Sequence, residues 1–188
     1  MKKHSLDQYL IEHCAATLAG IKSAGLFSCR FFQREELLQE LKLLNNKLNN
    51  KGVYLELMQW KDDYALIYVY RLSHLEKDLQ KEGVEELLAY YDYPVGENVK
   101  VCLAYLKERL IKCNCFPHEI GIFLGYPLDD VKGFIIHKGR DCKCCGLWKV
   151  YCNECETLKL FEKIQKCTRV YSQVFAEGRN ITQMTVCA

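Results

Sequence analysis

The sequence predicts one α/β domain over residues 1–188, with an α+β arrangement as the alternative. Apolar residues recur at helical spacing in the N-terminal half, two strand-like segments flank a short polar turn, and strand-like and helix-like segments alternate after residue 120. Such periodicities are the main sequence signals of secondary structure. A chain of 188 residues with 49% hydrophobic content is also long enough to bury a core without disulfides.

The N-terminal half is predicted to contain several amphipathic helices. The first begins at Ser5, which stands three residues before Gln8 in the spacing of a capping box. In the second, leucines recur every three or four positions, as on one buried helix face. The predicted helices of this half are residues 5–19, 33–49, 73–80, 84–91 and 97–112.

A β-hairpin is predicted between the second and third of these helices. Residues 53–60 and 64–71 are rich in β-branched and aromatic side chains, and the polar turn 61–63 joins them. The second segment is apolar on both faces, which predicts a central strand.

The C-terminal half is predicted to alternate between strands and helices. Its predicted strands are residues 120–124, 147–152 and 181–187, with helices starting near Pro127 and Asn153 between them. A β-α-β-α-β order implies parallel strands with right-handed crossovers. With the hairpin added, the expected architecture is a mixed sheet of about five strands with helices on both faces.

Charge and hydropathy argue against nucleic-acid binding and against a membrane location. The net charge is +2 and the pI is about 7.9, so no basic surface predicts nucleic-acid binding. Charged residues interrupt the N-terminal segment, and no apolar run is long enough to cross a membrane. The expected location is therefore the cytoplasm, where the 12 cysteines are free thiols, metal ligands or redox groups.

Three sequence blocks carry a family resemblance. They are CAATLAGIK at 14–22, FPHEIGIFLGYPLDDVKGF at 116–134 and CGLWKVY at 145–151. Together they resemble an uncharacterised clostridial-type family, the domain of unknown function DUF3793. The resemblance implies a single cytosolic domain and brings no activity with it. The anaerobic host that it implies would tolerate many free thiols.

A cysteine-rich group is the candidate metal site. Two clusters precede the predicted strands 120–124 and 147–152, and parallel strands would bring both clusters to one edge of the sheet, near His118. Such thiols suit a soft metal ion such as zinc, or a dithiol pair. Cys152 and Cys155 would lie about 20 Å away, beyond the second strand. The alternative is ordinary buried or surface cysteines. The candidate ligands are Cys113, Cys115, Cys142, Cys144 and Cys145.

A nucleophilic site is the second candidate. Cys14 would be the nucleophile, His118 the base and Glu119 the residue that orients the base, because Cys–His pairs activate thiolates. The alternative is that Cys14 belongs to the core, since it lies on the apolar face of the first predicted helix.

The turn before the helix at Pro127 is the third candidate. Gly125, Tyr126, Asp129 and Asp130 lie between a predicted strand and a helix N-terminus, where α/β proteins bind ligands. The two carboxylates suit a cation or an amine, or they merely complement the helix dipole. Lys22 is a further candidate, as an amine with a lowered pKa or as a lysine whose stem lies on apolar surface.

These candidates lead to two functional hypotheses. The first is a cytosolic binding or accessory protein for an unknown small molecule or protein, using the thiols or the Gly125–Asp130 turn. The second is a cysteine-dependent hydrolase or transferase that uses a Cys/His pair. The sequence leaves open whether the protein is an enzyme.

Overall fold

The computed structural model describes residues 5–30, 33–112 and 116–187, and it confirms a mixed α/β fold. The chain forms two compact units, unit 1 (Met1–His74 with Ile164–Ala188) and unit 2 (Leu75–Lys163). A single domain over 1–188 stays a prediction. The strands are β1 (Ala24–Arg30), β2 (Val53–Lys61), β3 (Tyr64–Arg71), β4 (Cys144–Cys145) and β5 (Lys149–Val150). The helices are α1 (Leu6–Leu18), α2 (Arg34–Leu48), α3 (Leu72–Leu79), α4 (Val84–Tyr90), α5 (Val99–Lys112), α6 (Ile120–Phe123), α7 (Leu128–Ile136), α8 (Glu154–Ala176) and α9 (Ile181–Met184).

Unit 1 contains a three-stranded antiparallel sheet in the order β1-β3-β2. The predicted hairpin is confirmed as β2 and β3, and β3 is the central strand, as its apolar residues on both faces predict. Strand β1 was not predicted. Its alternating burial from Phe27 to Arg30 is that of a strand with one face in the core.

The core of unit 1 lies on one face of this sheet. Helix α1 begins with the predicted capping box, in which Ser5 and Gln8 each accept a hydrogen bond from the other's backbone N–H. The leucine face of α2 is also buried as predicted. The core combines residues of α1, α2, α9 and the sheet, among them Leu10, Leu37, Ile67, Val69 and Ile181.

Arg71, at the end of β3, is a buried cation in unit 1. Its side chain is 1% exposed. Its Nε donates to the Thr17 carbonyl at 2.6 Å, and its Nη2 donates to the carbonyls of Leu18 at 2.6 Å and Val186 at 2.7 Å. A guanidinium at a helix C-terminus satisfies carbonyls that the helix leaves without partners. Arg71 therefore joins the end of α1 to the C-terminal segment of the chain.

The predicted parallel strands are wrong. Residues 120–124 include helix α6, because a short apolar run fits a buried helical turn as well as a strand. Residues 181–187 include helix α9, which begins with a second capping box formed by Asn180 and Gln183. The spacing of this box is visible in the sequence and indicates a helix start.

The third predicted strand, 147–152, is reduced to β5, which pairs antiparallel with β4. Gly146 donates to the Trp148 carbonyl at 3.1 Å, so the chain reverses directly before β5. Within the described residues, the sheets are therefore one of three strands and one of two, both antiparallel, and the five-stranded mixed sheet is not formed. None of the described helices is both long and apolar enough to cross a membrane.

Candidate functional site: an apolar cavity in unit 2

A cavity of about 300 Å³ lies in unit 2 between α6, α7 and the β4–β5 hairpin. Its volume is within the range of small-molecule sites and exceeds the voids normal for a packed interior. Four aromatic rings and several aliphatic side chains form most of its wall. The lining residues are Phe116, His118, Ile120, Gly121, Leu124, Tyr126, Asp130, Val131, Phe134, Leu147, Trp148 and Lys149.

Asp130 fixes the wall of the cavity. As predicted, Asp129 and Asp130 lie in the first turn of a helix, α7, but Asp130 is 2% exposed. Its Oδ2 accepts from Trp148 Nε1 at 2.9 Å, and its Oδ1 accepts from the backbone N–H of Tyr151 at 2.7 Å and of Cys152 at 3.1 Å. The carboxylate therefore fastens α7 to the β5 segment and orients the indole of Trp148.

The Trp148 ring is held on two further sides. It stacks on Tyr126 with ring centroids 4.6 Å apart, and it meets Phe161 edge-on at 4.5 Å. Stacked and edge-on aromatic pairs contribute stabilising free energy in addition to that of their buried apolar area. This wall of the cavity is consequently preformed in the protein.

Two glycines shape the part of the wall near α6 and Tyr126. A Cβ on Gly121 would lie 2.7 Å from Val131 Cγ2 and 3.2 Å from Tyr126 Cδ2, so only glycine lets these side chains approach α6. Gly125 has a φ of 71° and ends α6 in a Schellman motif, with Tyr126 N–H donating to the Gly121 carbonyl at 2.9 Å. The candidate Gly125 thus has a structural role, which turns Tyr126 into the cavity wall.

The rim of the cavity combines exposed apolar and basic side chains. Phe116 is 49% exposed and Leu147 is 43% exposed. His118 meets the Phe134 ring edge-on at 4.9 Å, and Lys149 Nζ lies 5.9 Å from the centroid of the same ring. Apolar side chains exposed beside a cavity are typical of a binding site.

A second cavity of about 270 Å³ in unit 2 is more polar. Glu76, Glu85 and Glu97 border it, and all three side chains are exposed to water. Hydrated carboxylates on a surface do not define a ligand site, so the apolar cavity is the stronger candidate.

The three candidate catalytic residues lie in different surroundings. Cys14 is buried in the core of unit 1, whereas His118 and Glu119 belong to unit 2. Glu119 is 1% exposed, and it accepts from Arg109 Nε at 2.6 Å and from the Tyr93 hydroxyl at 3.1 Å. Its carboxylate is therefore engaged in a buried ion pair within unit 2. The Cys14–His118–Glu119 site stays a prediction.

Burial makes Cys14 a poor nucleophile. Desolvation raises the pKa of its thiol to about 12, although nearby Lys22 opposes this shift. The same burial lowers the pKa of Lys22 to about 8, which is the direction expected of a functional amine at this position. Unit 1 therefore brings Cys14 and Lys22 into electrostatic contact, a pairing that was not predicted.

We expect the described thiols to differ strongly in their rate of alkylation. At pH 8, a pKa of about 12 leaves about one Cys14 thiol in 10,000 as the reactive thiolate. Iodoacetamide should therefore label the exposed Cys145, Cys155 and Cys187 long before Cys14 or the buried Cys29, as peptide mass spectrometry would show. Labelling of Cys14 should accelerate as the pH rises. Preferential labelling of native Cys14 would instead support the nucleophile hypothesis.

The predicted parallel strands, which would have brought the proposed metal ligands to one sheet edge, do not form in the described residues. Cys113 and Cys115 lie outside the described residues. Among those that are described, no three His, Cys, Asp or Glu side chains are arranged to hold a metal ion. Cys142, Cys144 and Cys145 are free thiols, and the argument from parallel strands no longer applies to them. The metal site itself stays a prediction.

The hairpin also changes the expected position of Cys152. Cys144 pairs with Val150, so the chain preceding β4 runs back along the segment that ends at Cys152. The thiol of Cys152 donates to Asp130 Oδ1 at 3.5 Å, and burial together with this carboxylate raises its pKa to about 11. Cys152 is therefore held as a protonated thiol against Asp130.

Sequence reasoning found Tyr126, Asp130 and His118 but missed the other principal side chains of the cavity. Trp148, Phe134 and Lys149 fall in segments that the sequence predicts as a strand and a helix. Two of the family blocks, 116–134 and 145–151, contain all of the lining residues. The concentration of aromatic residues in these blocks was the available signal.

The fold and the cavity define an α/β protein with a preformed apolar pocket. The chain matches the model of the family DUF3793, described as a protein of unknown function, over residues 10–185. It belongs to this family, as its sequence blocks indicate. No curated protein and no solved structure matches the chain.

Proposed function

We propose that this protein binds a small, largely apolar molecule in the cavity of unit 2. The observation that carries the proposal is a cavity of about 300 Å³ whose wall is built from rings and aliphatic side chains. Removing apolar surface from water contributes about 25 cal/mol per Å². A ligand of the size of an indole ring would gain most of its affinity in this way.

The polar groups around the cavity support an apolar ligand. Both oxygens of Asp130 already accept hydrogen bonds from the protein, and the Trp148 N–H is used by Asp130. These groups shape the wall and need no ligand to satisfy them. A binding role of this kind fits an accessory protein, and it requires no nucleophile or metal ion.

We also propose that the protein works in a reducing compartment such as the cytoplasm. Every cysteine that the structure describes is a free thiol, including the exposed Cys145 and Cys155. Reducing conditions keep such thiols from pairing.

The proposal is tested by titrating the full chain with 3-methylindole in a calorimeter. We expect binding in the micromolar to millimolar range, typical of a ligand with about ten heavy atoms. Leu147→Gln removes an apolar contact at the rim, and it should weaken binding about tenfold, equivalent to about 1.4 kcal/mol.

Ile136→Gln is the matched control. Ile136 is 72% exposed on α7 and does not line the cavity, so this variant should bind like the unchanged protein. Absence of binding to 3-methylindole, or equal loss in both variants, would contradict the proposal.

A further inference from the structure

We infer that the ligand of the cavity carries a carboxylate, which binds at the rim beside Lys149 and His118. The inference rests on the proposed function and specifies the chemical class of the ligand. The cavity lining contains one lysine, one histidine and one aspartate, and these three groups differ in what they offer a ligand.

Asp130 offers no charge to a cationic ligand. Three N–H groups of the protein already point at its two oxygens, and the side chain is 2% exposed. A ligand amine would have to displace these donors, and it would share the cavity with the ammonium of Lys149. The acidic residue that lines the cavity therefore does not select for cations.

Lys149 is the charged group that remains available. Its Nζ donates to the Gly139 carbonyl at 2.5 Å and lies 5.9 Å from the centre of the Phe134 ring. An ammonium has three N–H donors, so two remain for an acceptor on the ligand. The Gly139 carbonyl thus fixes the position of the Lys149 ammonium and uses only one of its three N–H donors.

The position of Gly139 is itself determined by the end of α7. Gly139 N–H donates to the Phe134 carbonyl at 2.9 Å, and Lys138, with a φ of 51°, is the left-handed residue of the Schellman turn that closes the helix. The turn places the acceptor for Lys149 beside the ring that the lysine covers. The charge is therefore built into the rim and is not a freely moving surface side chain.

His118 adds a second polar group to the same wall. Its imidazole meets Phe134 edge-on at 4.9 Å and is exposed, so a ring N–H can donate to a ligand. One point charge and one further donor suit a singly charged carboxylate better than a phosphate, which usually recruits several donors. An aromatic or aliphatic acid would place its apolar body in the cavity and its head at this rim.

Three probes with one ring system and different charges test the inference. They are indole-3-acetate, 3-methylindole and tryptamine, each titrated into the full chain by calorimetry. We expect indole-3-acetate to bind about tenfold more tightly than 3-methylindole, and tryptamine to bind most weakly, because a charge-assisted contact forms only with the acid. About 0.5 M salt should reduce this preference.

Lys149→Met keeps the apolar stem and removes the charge. It should lower the affinity for indole-3-acetate about tenfold and leave that for 3-methylindole unchanged. Lys149→Arg should retain the preference, which separates loss of charge from loss of folding. Lys143→Met is the matched control, since it changes net charge equally at an exposed residue that does not line the cavity.

The outcomes separate the two proposals. If 3-methylindole binds but the acid has no advantage, or if the advantage survives Lys149→Met, the carboxylate inference is wrong and the apolar cavity stands. If 3-methylindole does not bind, the proposed function itself is wrong, and the carboxylate inference that rests on it is wrong as well.

Discussion

Replacing Asp130 with alanine is expected to lower the free energy of unfolding by about 3 kcal/mol, because it leaves buried N–H groups without acceptors. The donors concerned are Trp148 Nε1 and the backbone N–H groups of Tyr151 and Cys152. Urea denaturation measures the change. Asp130→Asn keeps one acceptor oxygen and should fall between alanine and the unchanged protein.

Asp129→Ala is the control for this prediction. Asp129 lies in the same first turn of α7, so both aspartates interact with the helix dipole. Unlike Asp130, Asp129 is exposed. The dipole alone contributes about 0.5 kcal/mol. Equal losses in Asp129→Ala and Asp130→Ala would mean that the hydrogen bonds to the β5 segment add nothing, and that Asp130 only complements the helix.

Replacing Arg71 with methionine should cost about 3–5 kcal/mol of unfolding free energy. Methionine fills much of the same space but donates no hydrogen bond. The carbonyls of Thr17, Leu18 and Val186 would lose their guanidinium partner inside unit 1. Thermal or urea unfolding followed by circular dichroism measures the loss.

The control is Arg30→Met. Arg30 forms an ion pair with Asp63, but its side chain is 53% exposed, so water replaces the pair at little cost. The same substitution should therefore be nearly silent at Arg30 and severe at Arg71. Similar effects at the two positions would show that the three carbonyls around Arg71 find other partners.

In unit 1, the sequence predicted correctly those elements whose own residues carry the pattern of burial or capping. Examples are the leucine face of α2, the capping box of α1 and β3, which is apolar on both faces. Each of these signals lies within a single segment of the sequence. Strand β1 was missed because it lies directly after the turn that follows α1, and its pairing with β3 is a long-range contact. Such pairing depends on register and cannot be read from one short segment.

The C-terminal half was predicted poorly because a short apolar run shows no periodicity that distinguishes a strand from a helical turn. The pattern of residues 120–124 fits a strand. In the structure these residues include helix α6, which Gly125 ends in a Schellman motif. The cavity depends on this helix, since α6 brings Gly121 against Tyr126 and Val131. Asp130 was found from its place at a helix start, but its partners were not, because they lie across the hairpin.

The most direct test of the binding cavity uses the two tryptophans of the chain, Trp60 and Trp148. A ¹⁵N-labelled sample gives one indole N–H signal for each, and Trp60→Phe assigns them. Unlabelled 3-methylindole should shift the signal of Trp148, which lines the cavity, and leave that of Trp60 in unit 1 unchanged. Saturable shifts at Trp148 alone are the predicted result. A Trp148 signal that stays fixed at high ligand concentration, or a shift confined to Trp60, would contradict a ligand site in this cavity.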